Sequence, residues 1–303
     1  MPNGKDWHAL TRNSFNIQEG LDMQKRSLRT IPLFILIIAL WAGLPIAGAK
    51  EQPLRIVFFD VGQGDSAAIY FPNGEALLVD AGTGKTDIVK KLRQTGAPQS
   101  ISILMTHPHS DHIGGMLPVV KEFDIVHAYD TGYPYSQIYE RILNQLLADD
   151  VPYSVARSGQ KFSFGEAQIT ILHPDEGFKP YDVNDSSVVF MLSYRDFTAL
   201  FTGDVEKGSE ARMVKKWGKL LKADVLKVGH HGSRYSSSKE FLNVVKPQFA
   251  VISLSLNNRY GYPHKQAITS LEDSGIKIYR TDVQGDITVK SDGRKIEIIP
   301  AKR

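Results

Sequence analysis

One short stretch constrains this chain more than any other. Residues 101–105 read as a buried strand, and Thr106-His107-Pro108-His109-Ser110-Asp111-His112 follow it directly, ahead of Ile113-Gly114-Gly115. The segment sets three histidines and an aspartate within six residues. Imidazole and carboxylate together suit Zn, Mn or Fe. A tight loop between strand and helix lets alternate residues point inward together. His107 and His109, two apart, can share one ion, and Asp111 and His112 then face a neighbouring position. The plainer reading is a solvated histidine-rich loop, or a helix cap made by Asp111. Three histidines and an aspartate placed straight after a buried strand weigh against it.

Composition narrows the alternatives. There is no cysteine, so thiolate ligands and disulfides are excluded, and redox chemistry says nothing about compartment. At 303 residues, 42% apolar and 23% charged, the chain can bury a substantial core and is not a disordered segment. Thirty-six basic against thirty-three acidic side chains leave +3. Residues 1–49 carry five basic and three acidic groups, so the remainder has 36 − 5 = 31 against 33 − 3 = 30, a net +1. Bulk charge therefore does not attract nucleic acid, and an anionic substrate must be held by a local site.

The first 49 residues read as an address. Lys25, Arg26 and Arg29 precede a dozen apolar residues over 31–42, and Ala47-Gly48-Ala49 closes the segment with small residues. This is the order of a secretory signal peptide, with cleavage after Ala49 leaving Lys50 first. The alternative is a retained membrane anchor, since residues 31–49 approach the ~20 needed to span a bilayer. Pro32, Gly43, Pro45 and Gly48 weaken such a helix. Residues 1–22 fit neither pattern, and the signal starts more naturally at Met23.

Residues 50–303 form one domain without internal repeat. Strands are predicted at 54–59, 67–71 and 76–79, a helix at 87–94, and helices at 113–123 and 136–148. Further strands are expected within 161–172 and 187–201, with a turn at Tyr194-Arg195-Asp196. Helices at 208–217, 238–245 and 266–273 then alternate with strands at 224–228, 249–253 and 277–279, and 285–299 reads as a hairpin. A strand meander followed by βα alternation implies two mixed sheets packed together, with helices outside and polar residues at strand ends.

The histidine-rich segment resembles the HxHxDH signature of the metallo-β-lactamase fold superfamily. Phe59-Asp60-Val61-Gly62-Gln63-Gly64-Asp65-Ser66 and Val79-Asp80-Ala81-Gly82 resemble its opening strands and first motif aspartate, and Phe201-Thr202-Gly203-Asp204 its bridging-aspartate motif. Leu226-Lys227-Val228-Gly229-His230-His231-Gly232-Ser233 and Asn258-Arg259-Tyr260-Gly261-Tyr262-Pro263-His264 narrow the likeness to the hydrolase domain of ComEC-type DNA-internalisation competence proteins and their stand-alone relatives. The resemblance implies an α/β (α+β) fold, a four-layer αββα sandwich of two mixed sheets flanked by helices. It implies two divalent metal ions, Zn or Mn. His107 and His109 would hold one ion, Asp111 and His112 the other, with Asp204 bridging. His230 would complete the second site, with His231 the alternative, and Asp80 would orient a histidine from behind. Asp111, His231 and His264 are the catalytic candidates.

Three departures from the subgroup stand out. Asn184-Asp185-Ser186-Ser187 lies where the superfamily has a third-motif histidine, with His173 nearby. Tyr262 stands where the subgroup has histidine, and His264 follows just beyond. The competence proteins join this domain to a membrane channel, which has no counterpart in this sequence.

Two divalent ions roughly 3.5–4 Å apart lower the pKa of bound water toward ~7 and polarise a phosphoryl or carbonyl oxygen. The expectation is an extracytoplasmic metal-dependent hydrolase, acting as a phosphodiesterase or nuclease. A lactam, lactone or ester hydrolase of the same fold and a non-catalytic metal-binding module are the alternatives. Loops 231–236 and 257–265, with Arg234, Asn258 and Arg259, offer donors to phosphate oxygens. Tyr133, Tyr135 and Tyr139 could stack a base or sugar, though a structural loop is the plainer reading, and Lys215, Lys216, Lys219 and Lys222 read as a solvated face. A phosphodiester or nucleic-acid substrate is expected without a stable nucleic-acid complex, and membrane contact only through an uncleaved N-terminal segment.

Overall fold

The protein was analysed as a computed structural model that describes residues 52–302. The expected signal peptide and the expected start at Met23 lie outside the described residues. The first three strands, β1 (Leu54–Phe58), β2 (Ala67–Tyr70) and β3 (Ala76–Val79), form an antiparallel meander. Helix α1 (Ile88–Gln94), capped by the Asp87 side chain, then carries the chain to β4 (Ser100–Met105), which runs parallel to β3. Helices α2 (Ser110–Ile113) and α3 (Met116–Glu122) lead to β5 (Asp124–Asp130). Helix α4 (Gln137–Ala148) leads on to β6 (Tyr153–Val155), and both new strands are parallel to their predecessors. Parallel neighbours require such crossovers, whereas the antiparallel ones need only turns.

The same scheme recurs in the second half. Strands β7 (Lys161–Phe164), β8 (Ala167–His173), β9 (Val189–Tyr194) and β10 (Phe197–Phe201) are antiparallel. Helix α5 (Lys207–Trp217), β11 (Val225–Lys227), α6 (Lys239–Val245), β12 (Phe249–Ile252), α7 (Lys265–Asp273) and β13 (Lys277–Arg280) then alternate, each strand parallel to the last. After the single turn of α8 (Thr281–Gln284), the hairpin β14 (Ile287–Ser291) and β15 (Ile296–Pro300) crosses back and pairs with β1. The first sheet therefore runs β15-β14-β1-β2-β3-β4-β5-β6 and the second β13-β12-β11-β10-β9-β8-β7.

The two sheets face each other across one apolar layer. Ile56, Phe58 and Ile69 from the first meet Ile169, Phe190, Leu192 and Phe201 from the second. Phe201 stacks on Phe190 at 4.6 Å and on Phe58 at 5.6 Å between ring centres. The outer face of the first sheet is covered by α1, α3 and α4 through Ile88, Val119 and Ile142. Met213, Phe241 and Leu271 of α5, α6 and α7 cover the outer face of the second. This is the expected αββα sandwich of two mixed sheets.

Several boundaries differ from expectation. Strand β5 was not anticipated, because Asp124 and His127 interrupt its apolar pattern; β6 is too short to show a period. The single helix expected at 113–123 is two, because the chain bends at Gly114-Gly115 against its neighbour. A Cβ at Gly114 would lie 2.4 Å from the Thr83 carbonyl oxygen, and one at Gly115 2.3 Å from that of Ala81. Only glycine permits that approach.

Phe190 is fully buried at the centre of the inter-sheet layer. Phe190→Ala is expected to lower unfolding stability by about 3–5 kcal/mol, and Phe190→Leu by less than half of that. Urea denaturation with an unchanged slope is the measurement.

Candidate metal centre

Loops leaving the C-terminal ends of β3, β4, β10, β11 and β12 meet at one edge of the sandwich, so both sheets contribute. Beyond β4, Pro108 and His109 hold the backbone extended, with His109 at φ −72° and ψ 148°, before α2 begins. His107 and His109, two residues apart, then turn the same way: His107 Nε2 and His109 Nδ1 lie 3.0 Å apart. The turn of α2 swings Asp111 and His112 to the adjoining position. The loop before β2 supports this turn. Gly64 sits at φ +130°, where a Cβ would lie 2.0 Å from the Asp111 carbonyl oxygen, and the Asp65 N–H donates to that oxygen at 3.1 Å.

Behind the loop, Asp80 occupies a left-handed conformation (φ 53°) directly after β3. Its carboxylate accepts from the Thr106 N–H at 2.8 Å, from the Thr106 hydroxyl at 2.6 Å and from His112 Nδ1 at 2.8 Å. Those bonds point His112 Nε2 at the second sheet, where Asp204 Oδ2 lies 3.3 Å away. Asp204, after β10, is held by its own N–H donating to Ser187 Oγ at 3.1 Å. His107 Nε2 stands 3.9 Å from the same carboxylate and His231 Nε2 3.5 Å. His231 Nε2 also lies 3.3 Å from Asp111 Oδ2. Among the described residues four groups of ligand atoms lie within 4.8 Å of one another: His107, His112 and Asp204; Asp111, His112 and His231; and two built on Asp65, with Asp80 and His112 and with Asp204 and His231.

The order expected for the histidine pair after β11 is reversed by the backbone. His230 and His231 both adopt left-handed dihedrals (φ 47° and 53°), a strained arrangement costing of order 1 kcal/mol each. The bend turns the two rings apart. His231 is 1% exposed, faces Asp111 and Asp204, and donates from Nδ1 to the Ser253 carbonyl at 2.9 Å. His230 stays at the rim, with Nδ1 paired to Glu206 at 3.1 Å and Nε2 to the Tyr262 hydroxyl at 3.0 Å, 4.0 Å from Asp204. His231, the alternative, is thus the ring that completes the second group. His264 is also displaced from its expected place: its Nδ1 accepts the Arg234 N–H at 3.0 Å and its ring packs edge-on against Tyr262. Tyr262 reaches the cavity instead. His173 is buried outside the site, donating to the Asp185 carbonyl at 2.8 Å.

The electrostatics fit a cation. Burial opposes ionisation of Asp204, yet His231, His112 and His230 outweigh it and hold the carboxyl well below its usual range. Burial likewise opposes charge on His231, and Asp204, Asp65 and Asp111 overcome it, holding the imidazolium up to about 10. His112 is pushed upward against burial by Asp204 and Asp80. His107, desolvated and beside His112, is pushed well below its ordinary value and is neutral, as a ligand must be. His112 Nε2, His231 Nε2 and Asp204 Oδ1 are buried and lack a hydrogen-bond partner. Such unpaired atoms cost about 1–3 kcal/mol each, and divalent cations between them would satisfy all three. The donor set fits metal.

In front of these groups opens a cavity of about 300 Å³, lined by His109, Asp111, Asp204 and His231, with Gln63, Asn184, Tyr260 and Tyr262 at its walls. A sequence profile described as the metallo-beta-lactamase superfamily matches residues 59–255, which include every one of the loops just described except the 256–264 segment. The chain belongs to this superfamily. Curated relatives include "ComE operon protein 3" of Bacillus subtilis (strain 168), 29% identical over 260 residues, covering 79% of this chain and 33% of that protein. "Competence protein ComA" of Neisseria gonorrhoeae is 31% identical over 265 residues, covering 86% of this chain and 36% of its own. The chain thus spans about a third of the length of these relatives. Among solved structures, the metallo-β-lactamase fold protein YhfI from Bacillus subtilis superposes with a TM-score of 0.54 at 12% identity, over 79% of this chain and 100% of that one. At that identity the likeness shows the fold.

Sequence reasoning passed over four residues. Asp65 and Lys227 form a buried pair at 2.8 Å behind His231, whose Nδ1 lies 3.4 Å from Asp65. A lysine inside the apolar run of β11 was the available signal. For Asn184 the signal was its place where the superfamily has a third-motif histidine, and for Gln63 only its place in the opening motif. Of the tyrosines, Tyr139 is buried and donates to Asp130 at 2.6 Å, whereas Tyr135 is exposed and meets His109 edge-on at 5.5 Å. Lys216 pairs with Asp175 on the outer face of α5, consistent with a solvated face.

In protein stripped of metal by a chelator, a histidine raised above its unfolded value stabilises the fold fully below that value. The contribution is lost as pH climbs through the folded one. For His231 the window runs from 6.5 to about 10. The melting temperature of stripped protein is expected to fall by several degrees across that window, and that of metal-loaded protein to stay flat. Thermal unfolding over a pH series checks it.

Proposed function

We propose that this superfamily hydrolase cleaves phosphodiesters, nucleic acid among them, with two divalent cations, Zn or Mn, held by His107, His109, Asp111, His112, Asp204 and His231. The observation that carries the reading is the convergence of buried, unpaired His112 Nε2, His231 Nε2 and Asp204 Oδ1 at the floor of an open cavity. Bound there, the cations would supply a Lewis acid for a phosphoryl oxygen and acidify water.

The side chains supply the rest. Asp204, fixed by Ser187, presents one oxygen toward His107 and His112 and another toward the cavity. Asp111, a quarter exposed and held well below its usual range against burial by His231 and His112, stays anionic at the cavity floor, as a cation ligand must. Gln63 accepts the Ser255 N–H through Oε1 at 3.4 Å, and its buried Nε2 has no acceptor. That amide can donate to a substrate oxygen. The rim supports an anionic, extended substrate. Exposed Arg259 lies over Tyr260, which stacks on Tyr262 at 5.4 Å, and Arg234 lies over the exposed Tyr235. A lactam or lactone ring is itself uncharged, whereas a phosphodiester carries its negative charge on the group that is cleaved.

The test sets a nitrophenyl phosphodiester and a single-stranded oligonucleotide against a chromogenic lactam, with Mn, Zn and Mg. Turnover of the phosphodiester and not of the lactam is expected. His109→Ala and Asp204→Ala should each lose at least ~100-fold in kcat/KM along with bound metal, whereas His230→Ala should keep its metal. Metal content without turnover on any substrate would favour a binding module instead.

We further propose that the domain works outside the cytoplasm. Support comes from the basic, apolar and small-residue order of residues 25–49. A mature N-terminus at Lys50, read by peptide mass from exported protein, is the expected result; an intact N-terminus would mean an anchored form.

A further inference from the structure

Among the polar groups of the cavity that the reading above does not use, Asn184 is the one with a buried atom left unpaired. It lines the cavity together with His109 and Asp204, and its Oδ1 is buried without a hydrogen-bond partner. Asp204 Oδ1, of a residue lining the same cavity, is also buried and unpaired. Two unpaired acceptors lining one cavity suit a positive centre, because each oxygen left dry costs free energy that only a donor or a cation recovers.

The segment that carries Asn184 is fixed firmly. It is a single 3-10 turn, Asn184–Ser186, placed between the histidine loop and Asp204. On one side the Val188 N–H donates to the Thr106 carbonyl at 2.8 Å, next to His107. On the other, Ser187 Oγ accepts the Asp204 N–H at 3.1 Å. Asp185 is turned away from the cavity and engaged by Ser209 and by Arg212. So the one side chain of the turn left to face the cavity is an amide held beside a carboxylate and an imidazole.

We infer that Asn184 Oδ1 is a metal ligand of the first site, completing with His107, His109 and Asp204 the half that lacks His231. This rests on the metal-centre reading above. A neutral oxygen in place of a second carboxylate leaves that half more weakly charged than its neighbour, which has both Asp111 and Asp204, and makes it the weaker of the two.

Binding, rather than turnover, tests this. Metal-stripped wild type, Asn184→Ala and Asn184→Asp are titrated with Mn²⁺ and Zn²⁺ by calorimetry, and bound metal is counted after dialysis. Wild type should bind two ions. Asn184→Ala should keep one constant unchanged and lose at least ~10-fold in the other. Asn184→Asp, nearly isosteric and anionic, should tighten the weaker Mn²⁺ site at least ~10-fold. Stripped Asn184→Ala should melt no lower than wild type, because Oδ1 has no partner to lose. Stripped Asn184→Asp should melt lower and recover when metal is added, because it places a further carboxylate in the cavity of Asp204. Two unchanged constants in both variants would overturn the assignment, even if KM rose, and would leave the hydrolase reading standing. Selective loss of one ion in a protein inert toward phosphodiesters would uphold the assignment and sink that reading instead.

Discussion

A carboxylate buried among imidazoles is the interaction on which this site depends. Asp204 is 2% exposed, and His107, His112, His230 and His231 all lie within 4.0 Å of its Oδ2. An isolated carboxylate in such a place would be expelled or neutralised. Here the compensating positive charge comes either from protons on His112 and His231 or from cations in their place. The fold therefore keeps a charge balance whose positive half is exchangeable, which is what a metal centre requires.

The sandwich explains why the balance can be struck at this edge. Each sheet is a meander continued by parallel strands, and the loops after parallel strands all leave on one side. The first sheet sends Asp80 and the histidine-rich loop to that edge, the second sends Asp204 and His231, and the apolar layer of Phe58, Phe190 and Phe201 sets their spacing. The same arrangement allows a second tier of support. Asp80 orients His112, and Asp65, neutralised by the buried Lys227, stands behind His231. These outer carboxylates fix ring orientation, and with it the direction in which each free nitrogen points.

Much of this was legible in the chain. The alternation of apolar runs and the order of the motifs were enough to place most elements and to expect the histidine-rich loop and Asp204 side by side. Spacing alone paired His107 with His109, since side chains two apart on an extended backbone share a face. It could not rank His230 and His231, because that choice is made by two successive left-handed residues, and nothing in the residue type of a histidine demands them. His264 lies apart from the cavity lining for a related reason: a turn at Gly261 brings Tyr262 inward and spends the imidazole of His264 on a backbone N–H. Asn184 was marked only by its place in the third motif, and Gln63 only by its motif, because an amide in a turn has the same composition whether it closes the turn or faces a ligand. Strand β5 escaped because it carries Asp124 and His127 among its apolar residues.

The C-terminal hairpin carries a consequence for how the domain comes to exist. Strand β1 is bonded on one side to β2 and on the other to β14, and the Asp60 N–H is held by the Asp286 carboxylate, 226 residues further along. Contacts so distant in sequence form late and slowly. A nascent chain thus presents an open sheet edge at β1 until the hairpin has been made. The timing of closure is tied to the synthesis of that hairpin, and a deletion that removes it would strip the opening strand of its partner.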